Sequence, residues 1–549
     1  MVMRLYLWQV KPVLILLLSI FAINCPALTL LDVAKDNKFD QIQNLISQGE
    51  DINLAQGDGT SVLAWAVYHN NETAVNSLLT AGADVNKAND FGVTPLSLAC
   101  ENSNAPIVIS LLEAGADPNL NKLTGVSPLM LCANFGVTSA VQALIQHGAN
   151  VNASDNRENQ TALMWAAAEN NVDAVKLLVD AGGDVNAVSK LIPEPETYII
   201  EDENVVFGQN YPHTIRFAKY TGGFTPLYFA AQQGAIESAT VLISAGADIN
   251  ASNSEYGIPL IIALQSGHEA MAMLLLENGA DPNVSDGWGM TPLHYALHEG
   301  VLIINTFRPS DTDKFGWTRS NMPKVVKALL EKGADPNAKI KFSLPYHNME
   351  FFSRAMEDPP QVDPVGATPF MIAAISSDIE AMQYLLEYGA DKNVETIGGG
   401  TAFMLAAGLG SERGARNEAD AIEAAKFLLS LGDVNVNAAL TEIAAIGPGK
   451  GKQDGRTGLH HAVYLGWSNM IRFLADNGAD LDAKDRYGMT PMLMAMGDPE
   501  GRLFRQVGAG NSDFRFRSPP PIENKKLSSL LLELGAKPFT GKFRDRSGE

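Results

Sequence analysis

His294 and His298 stand four residues apart, a spacing that places both on one face of a helix, where they could share a metal ion. The His-Glu-x-x-His pattern of a metalloprotease is absent, and no third ligand is apparent in the sequence. The adjacent pair His460-His461 points to different faces of a helix and fits a shared metal less well. Gly447-Pro-Gly-Lys-Gly-Lys452 has the look of a phosphate-binding loop. That pattern also needs Gly at 446 and Ser or Thr at 453, and the chain has Ile446 and Gln453, so the stretch reads as a pliable turn. Nucleophile elbows, dinucleotide fingerprints and paired-cysteine metal or haem motifs are all missing from the sequence. No catalytic, cofactor-binding or metal-ligating set is expected, and the chain is not expected to be an enzyme.

What the sequence does carry is a repeated pair of short helices. In Gly92-Val-Thr-Pro-Leu-Ser-Leu-Ala-Cys100, Thr94 is a hydroxyl N-cap and Pro95 takes the first helical position, where a missing N–H is tolerated. Leu96, Ala99 and Cys100 form a narrow apolar stripe whose small members let a second helix approach. Ile107, Val108, Leu111 and Leu112 make the stripe of that second helix, and Gly115 ends it. Asp117 and Asn119 supply turn chemistry before the next unit.

The spelling recurs. A helix-ending glycine falls at Gly49, Gly82, Gly115 and Gly148, each 33 residues from the last, and then at Gly182, Gly246, Gly279, Gly333, Gly389, Gly432, Gly478 and Gly535. The capping signal reappears as Ser127-Pro-Leu, Thr225-Pro-Leu, Thr291-Pro-Leu-His294, Thr368-Pro-Phe and Thr490-Pro-Met, with looser copies at Thr161, Thr401 and Thr457. This pattern resembles the ankyrin repeat over nearly all of residues 29–538.

The resemblance implies an all-α repeat solenoid: an ankyrin-repeat stack of about twelve helix-turn-helix units joined by β-hairpin tips, with several long loop insertions. It implies that the histidine of Thr-Pro-Leu-His is structural, bonding between repeats. It also implies a concave face lined by the residue after each tip glycine and the pair ending each first helix. Those slots and the neighbouring tips hold Tyr68, Phe91, Phe135, Phe224, Trp288, Met290, His298, Tyr464 and Tyr487, which are the candidate partner-binding residues. Long insertions begin after Val188, so the specific surface is expected between residues 188 and 365, with Phe224 and Trp288 as anchors.

The N-terminus reads as an export signal. Arg4 and Lys11 precede an apolar run, Val13 to Ile23, and Cys25-Pro-Ala27 offers small residues for cleavage before Leu28. The run is short for a membrane span, which needs about 18 residues or more. Acylation of Cys25 to make a lipoprotein is the weaker reading, because Asn24 replaces the small residue expected before such a cysteine. Cys100 and Cys132 then remain. Packed helices lie about 8–10 Å apart, beyond the Cα separation a disulfide accepts, so the two are read as buried small hydrophobes. An export signal without a disulfide framework suits a bacterial periplasm or the cell exterior.

The chain has 549 residues, 46% hydrophobic and 19% charged, a composition ordinary for a folded protein. The formal charge is −22, and residues 28–300 hold 9 basic against 31 acidic side chains. Such a field repels nucleic acid and anionic membrane and favours cationic partners; it also keeps a long rod in solution. The expected organisation is a signal peptide at 1–27 and regular repeats with a polar cap at 28–187. A tip insertion at 188–221 follows, built from short β-prone pieces. Repeats then occupy 222–540, interrupted near 301–321, 340–365, 408–417, 439–454 and 497–524, before a frayed tail at 541–549. The expected function is that of an extracytoplasmic, monomeric protein–protein interaction scaffold without cofactors. An exported effector acting on a host protein, or a ligand- or metal-binding module in the insertions, are the other readings.

Overall fold

The computed structural model describes residues 29–193, 220–253, 255–304, 320–342, 364–411, 416–441, 455–485, 488–496 and 524–538. The leader, most of each insertion, Tyr487 and the tail at 541–549 lie outside them. The chain forms two compact units, Met1–Leu123 and Thr124–Glu549. Apart from the short helix His298–Ile304, their described α-helices fall into antiparallel pairs, three pairs in the first unit and nine in the second.

Local chemistry accounts for each pair. Thr94 caps Pro95–Glu101 by accepting from the Ser97 N–H at 3.1 Å, and Ser97 Oγ in turn accepts from the Thr94 N–H at 3.0 Å. Several second helices take an Asn or Asp cap where the chain turns back: Asn71, Asn104, Asp378 and Asn524 each accept from an N–H three residues on. Helix Ala105–Glu113 ends with Gly115 at φ +89°. The Gly115 N–H donates to the Leu112 carbonyl and the Ala116 N–H to the Leu111 carbonyl, which closes the last turn. A Cβ at that left-handed position would be strained, which is why glycine punctuates every unit.

In the first unit, helices Leu30–Lys35, Val62–Tyr68 and Pro95–Glu101 pack in a row, with Glu72–Thr80 and Ala105–Glu113 in a second row behind them. The second unit repeats the arrangement. First helices Pro128–Asn134, Ala162–Ala168, Pro226–Gln233, Pro259–Gln265 and Pro292–Ala296 pack successively, backed by Thr138–Gln146, Val172–Asp180, Ile236–Ser244, Glu269–Glu277 and Pro323–Glu331. Within each unit the core is therefore a layer between two rows. Leu96 and Leu111 are buried in that of the first unit, and Leu129, Leu144, Leu163 and Leu178 in that of the second, each stabilising by about 1.5–3 kcal/mol relative to exposure.

The tips are lightly paired. Single antiparallel bridges join Ala55 to Ser61, Ser154 to Thr161, Asn253 to Gly257, Glu395 to Thr401 and Ala439 to Thr457. At the 188–221 insertion, a short antiparallel ladder pairs Ile192 with Thr221 and Pro193 with Tyr220. Gly222 follows at φ +100°, and a Cβ there would run into the Lys190 carbonyl. The β-prone pieces between the two strands lie outside the described residues.

Two expectations are corrected. Cys100 and Cys132 are fully buried, but both are disulfide-bonded rather than free small hydrophobes. The expectation compared helix-axis spacing with a Cα limit, although Cα atoms sit about 2.3 Å off the helix axis. His294 and His298 do not share a helix. Pro292–Ala296 ends at Leu297 (φ −102°, ψ 45°), and a new helix, His298–Ile304, begins where the 301–321 insertion enters.

Candidate protein-binding surface

The histidine that follows Thr-x-Leu in two of the first helices is structural here. His460 Nδ1 meets the Thr457 N–H at 3.2 Å and its Nε2 reaches the Met489 carbonyl of the following tip at 3.1 Å. His294 is fully buried and its Nδ1 accepts from the Thr291 N–H at 3.1 Å. Burial pushes His294 and His460 down to about 4, so both are neutral. Among the described residues no group of three His, Cys, Asp or Glu side chains could hold a metal.

The candidate binding residues divide by environment. Tyr68 (57% exposed), Phe91 (65%) and Phe135 (50%) present their rings to solvent. Tyr68 ends its helix beside Trp65, the rings meeting edge to face at 5.5 Å. Phe91 sits at a tip, held by a bond from its N–H to Asn89 Oδ1 at 3.0 Å. Phe135 is the C-cap of Pro128–Asn134. Phe224, His298 and Tyr464 are half-buried. Phe224 stacks on Tyr228 at 4.3 Å, and its N–H donates to Ser189 Oγ at 2.9 Å at the root of the 188–221 insertion.

Trp288 and Met290 depart from the expectation of solvent-facing slots: both are buried. The next tip lies across them, since the Lys341 and Phe342 N–H groups donate to the Trp288 carbonyl at 2.9 and 3.1 Å. The Lys341 side chain also crosses Gly289, between the two. Met290 is tied down further by its N–H, which donates to Asp286 Oδ1 at 2.9 Å. Contacts that span 50 residues of sequence are invisible to a local reading of a slot.

The described structure adds a groove that the slot reading missed. Asn134, Gln160, Met164, Trp165, Ala168 and Phe229 line an open hollow of about 200 Å³ on three successive first helices of the second unit. Trp165 and Phe229 occupy the same slot, four residues after the caps Thr161 and Thr225. That is one turn before the helix-ending pair, and it is also where Trp65 stands. Aromatics recurring four residues after the cap were the available signal. The Trp165 ring is fixed by its Nε1–H, which donates to Gln160 Oε1 at 2.8 Å. Gln160 Nε2 in turn donates to Glu158 Oε2 at 2.8 Å.

Stacked antiparallel helix pairs with capped starts, glycine ends and an aromatic groove across their first helices define a helical repeat protein. Residues 30–122, 111–189, 227–340, 346–439 and 415–501 match the family described as Ankyrin repeats (3 copies), and the chain belongs to the ankyrin-repeat family. Ankyrin repeats generally mediate protein–protein interaction. No helix among the described residues is long and apolar enough to cross a membrane.

Proposed function

We propose that this chain is an extracytoplasmic, non-enzymatic scaffold that binds a protein partner through the first-helix face of its repeats. The observation that carries this reading is the set of accessible aromatic side chains on that face in the second unit: half-buried Trp165 and Phe229 line one hollow, and exposed Phe135 follows its lining residue Asn134 in sequence. Rigid aromatics at an open groove are the usual anchors of protein interfaces. Export is supported by the basic and apolar leader over residues 1–27 and by the disulfide-bonded cysteines, which favour an oxidising compartment.

The experiment is capture from the extracytoplasmic fraction of the native cell, using the full chain and a Phe135→Ala, Phe229→Ala double variant. A partner retained by the first and lost by a folded second supports the reading; equal retention contradicts it. Mass measurement of the secreted chain tests export: a species beginning at Leu28 is expected, and an uncleaved cytoplasmic product contradicts it.

A further inference from the structure

The groove around Trp165 has a chemical preference beyond its being apolar. Its six lining residues include two amides but no cation. The indole N–H is committed to Gln160 Oε1, and Gln160 is itself bonded to the carboxylate of Glu158. Hydrogen bonds in such a chain polarise one another, so an indole donating toward a carboxylate carries more negative charge on its π face. That face is the best side-chain site for a cation. Glu169 caps the same helix one turn beyond Trp165, and no ion pair holds it among the described residues. The Asn134 side-chain amide makes no hydrogen bond among the described residues. The surrounding stretch, residues 124–300, has 5 basic against 19 acidic side chains.

We propose that this groove receives an arginine side chain from an extended segment of the partner. The guanidinium lies on the Trp165 indole, its methylene stem against Phe229 and Ala168, and one edge donates to the Asn134 amide oxygen. A planar fork both stacks and hydrogen-bonds, which a lysine ammonium cannot do together. The acidic field of residues 124–300 brings such a segment in. This assignment rests on the first-helix face being the binding face.

The test uses random dodecapeptides displayed on phage, panned on the full chain and counter-selected on a Trp165→Leu variant. Trp165→Phe serves as a second variant that retains ring volume if the leucine variant does not fold. Surviving peptides are expected to be rich in arginine. Replacing the arginine of one such synthetic peptide by citrulline, which is neutral and nearly isosteric, should weaken binding roughly five- to ten-fold, and the difference should vanish on Trp165→Leu. Equal affinity of arginine and citrulline peptides that still need Trp165 overturns the arginine assignment and leaves the binding face standing. Peptides indifferent to Trp165, or no enrichment at all, overturn the groove as the site. Selection of lysine peptides with no preference for arginine overturns the stacked geometry.

Discussion

The side-chain amide of Asn250 spans two successive tips: its Oδ1 accepts the Asp281 N–H at 2.8 Å and its Nδ2 donates to the Gly279 carbonyl at 3.2 Å. The same double bond recurs from Asn86 to Asp117 and Gly115, within the first unit. In the second unit it recurs at Asn152, Asn186, Asn283, Asn337 and Asn437. Each asparagine bonds the carbonyl of a helix-ending glycine and fixes the tip that follows. Where Lys392 precedes the slot, its ammonium reaches the carbonyls of Leu431 and Gly432 at 2.6 Å instead.

Asn250→Ala should therefore destabilise the chain by about 1–2 kcal/mol, the worth of two solvent-accessible hydrogen bonds. Hydrogen exchange at the Asp281 amide should rise with it. Asn250→Asp, which retains the acceptor and loses the donor, should fall between. Unchanged exchange at Asp281 in the alanine variant would falsify the ladder as a stabilising device.

Acid should loosen the second unit at defined places. Burial holds His294 and His460 at about 4 in the folded chain, against about 6.5 when unfolded. Below pH 6.5 the unfolded chain takes up protons that the folded chain refuses. The stability present above that pH is then lost progressively as the pH falls toward 4, by ~3 kcal/mol for each histidine at the limit. His461, also buried, is pushed in the same direction. Urea midpoints should drop between about pH 6.5 and 4.5, with protection lost first around residues 291–296 and 457–465. A midpoint flat across that range is the contrary result.

Arg416 ties three repeats together. Its Nη1 donates to the Leu405 carbonyl at 2.8 Å and to Ser411 Oγ at 3.1 Å, its Nη2 to Ser377 Oγ at 2.8 Å, and the guanidinium lies 5.7 Å from the Trp467 ring. Burial pulls the guanidinium down to about 10, opposed by the carboxylates of Glu299 and Asp420, so it stays charged. Arg416→Met should cost about 1–3 kcal/mol by stranding those acceptors. Lysine should restore little of that, since one ammonium cannot span the same acceptors in a plane. Chemical denaturation of the two variants checks this; full rescue by lysine argues that only charge matters.

Much of this architecture is legible in the sequence because it is local. The Thr94, Ser127, Thr161, Thr225 and Thr401 caps are where their neighbours predict, each accepting from the N–H three residues on. The glycines at the helix ends take the left-handed conformation their position demands. What local reading missed depends on the next repeat or on an insertion. Trp288 and Met290 are covered by residues about 50 positions further on, and the break at Leu297 separates two histidines that spacing alone would align. Asn86 and its counterparts read as turn formers, and only the stacked structure shows that they face the following glycine.

The central claim, that a protein partner sits on the first-helix face, is tested most directly by site-specific photocrosslinking in the native cell. A benzophenone side chain in place of exposed Phe135 is compared with one in place of exposed Tyr388, which caps the end of a second helix. The account predicts a single discrete adduct from position 135, lost on Phe229→Ala, and none from position 388. An adduct from position 388 alone, or one from position 135 that persists unchanged in the Phe229→Ala background, would contradict it.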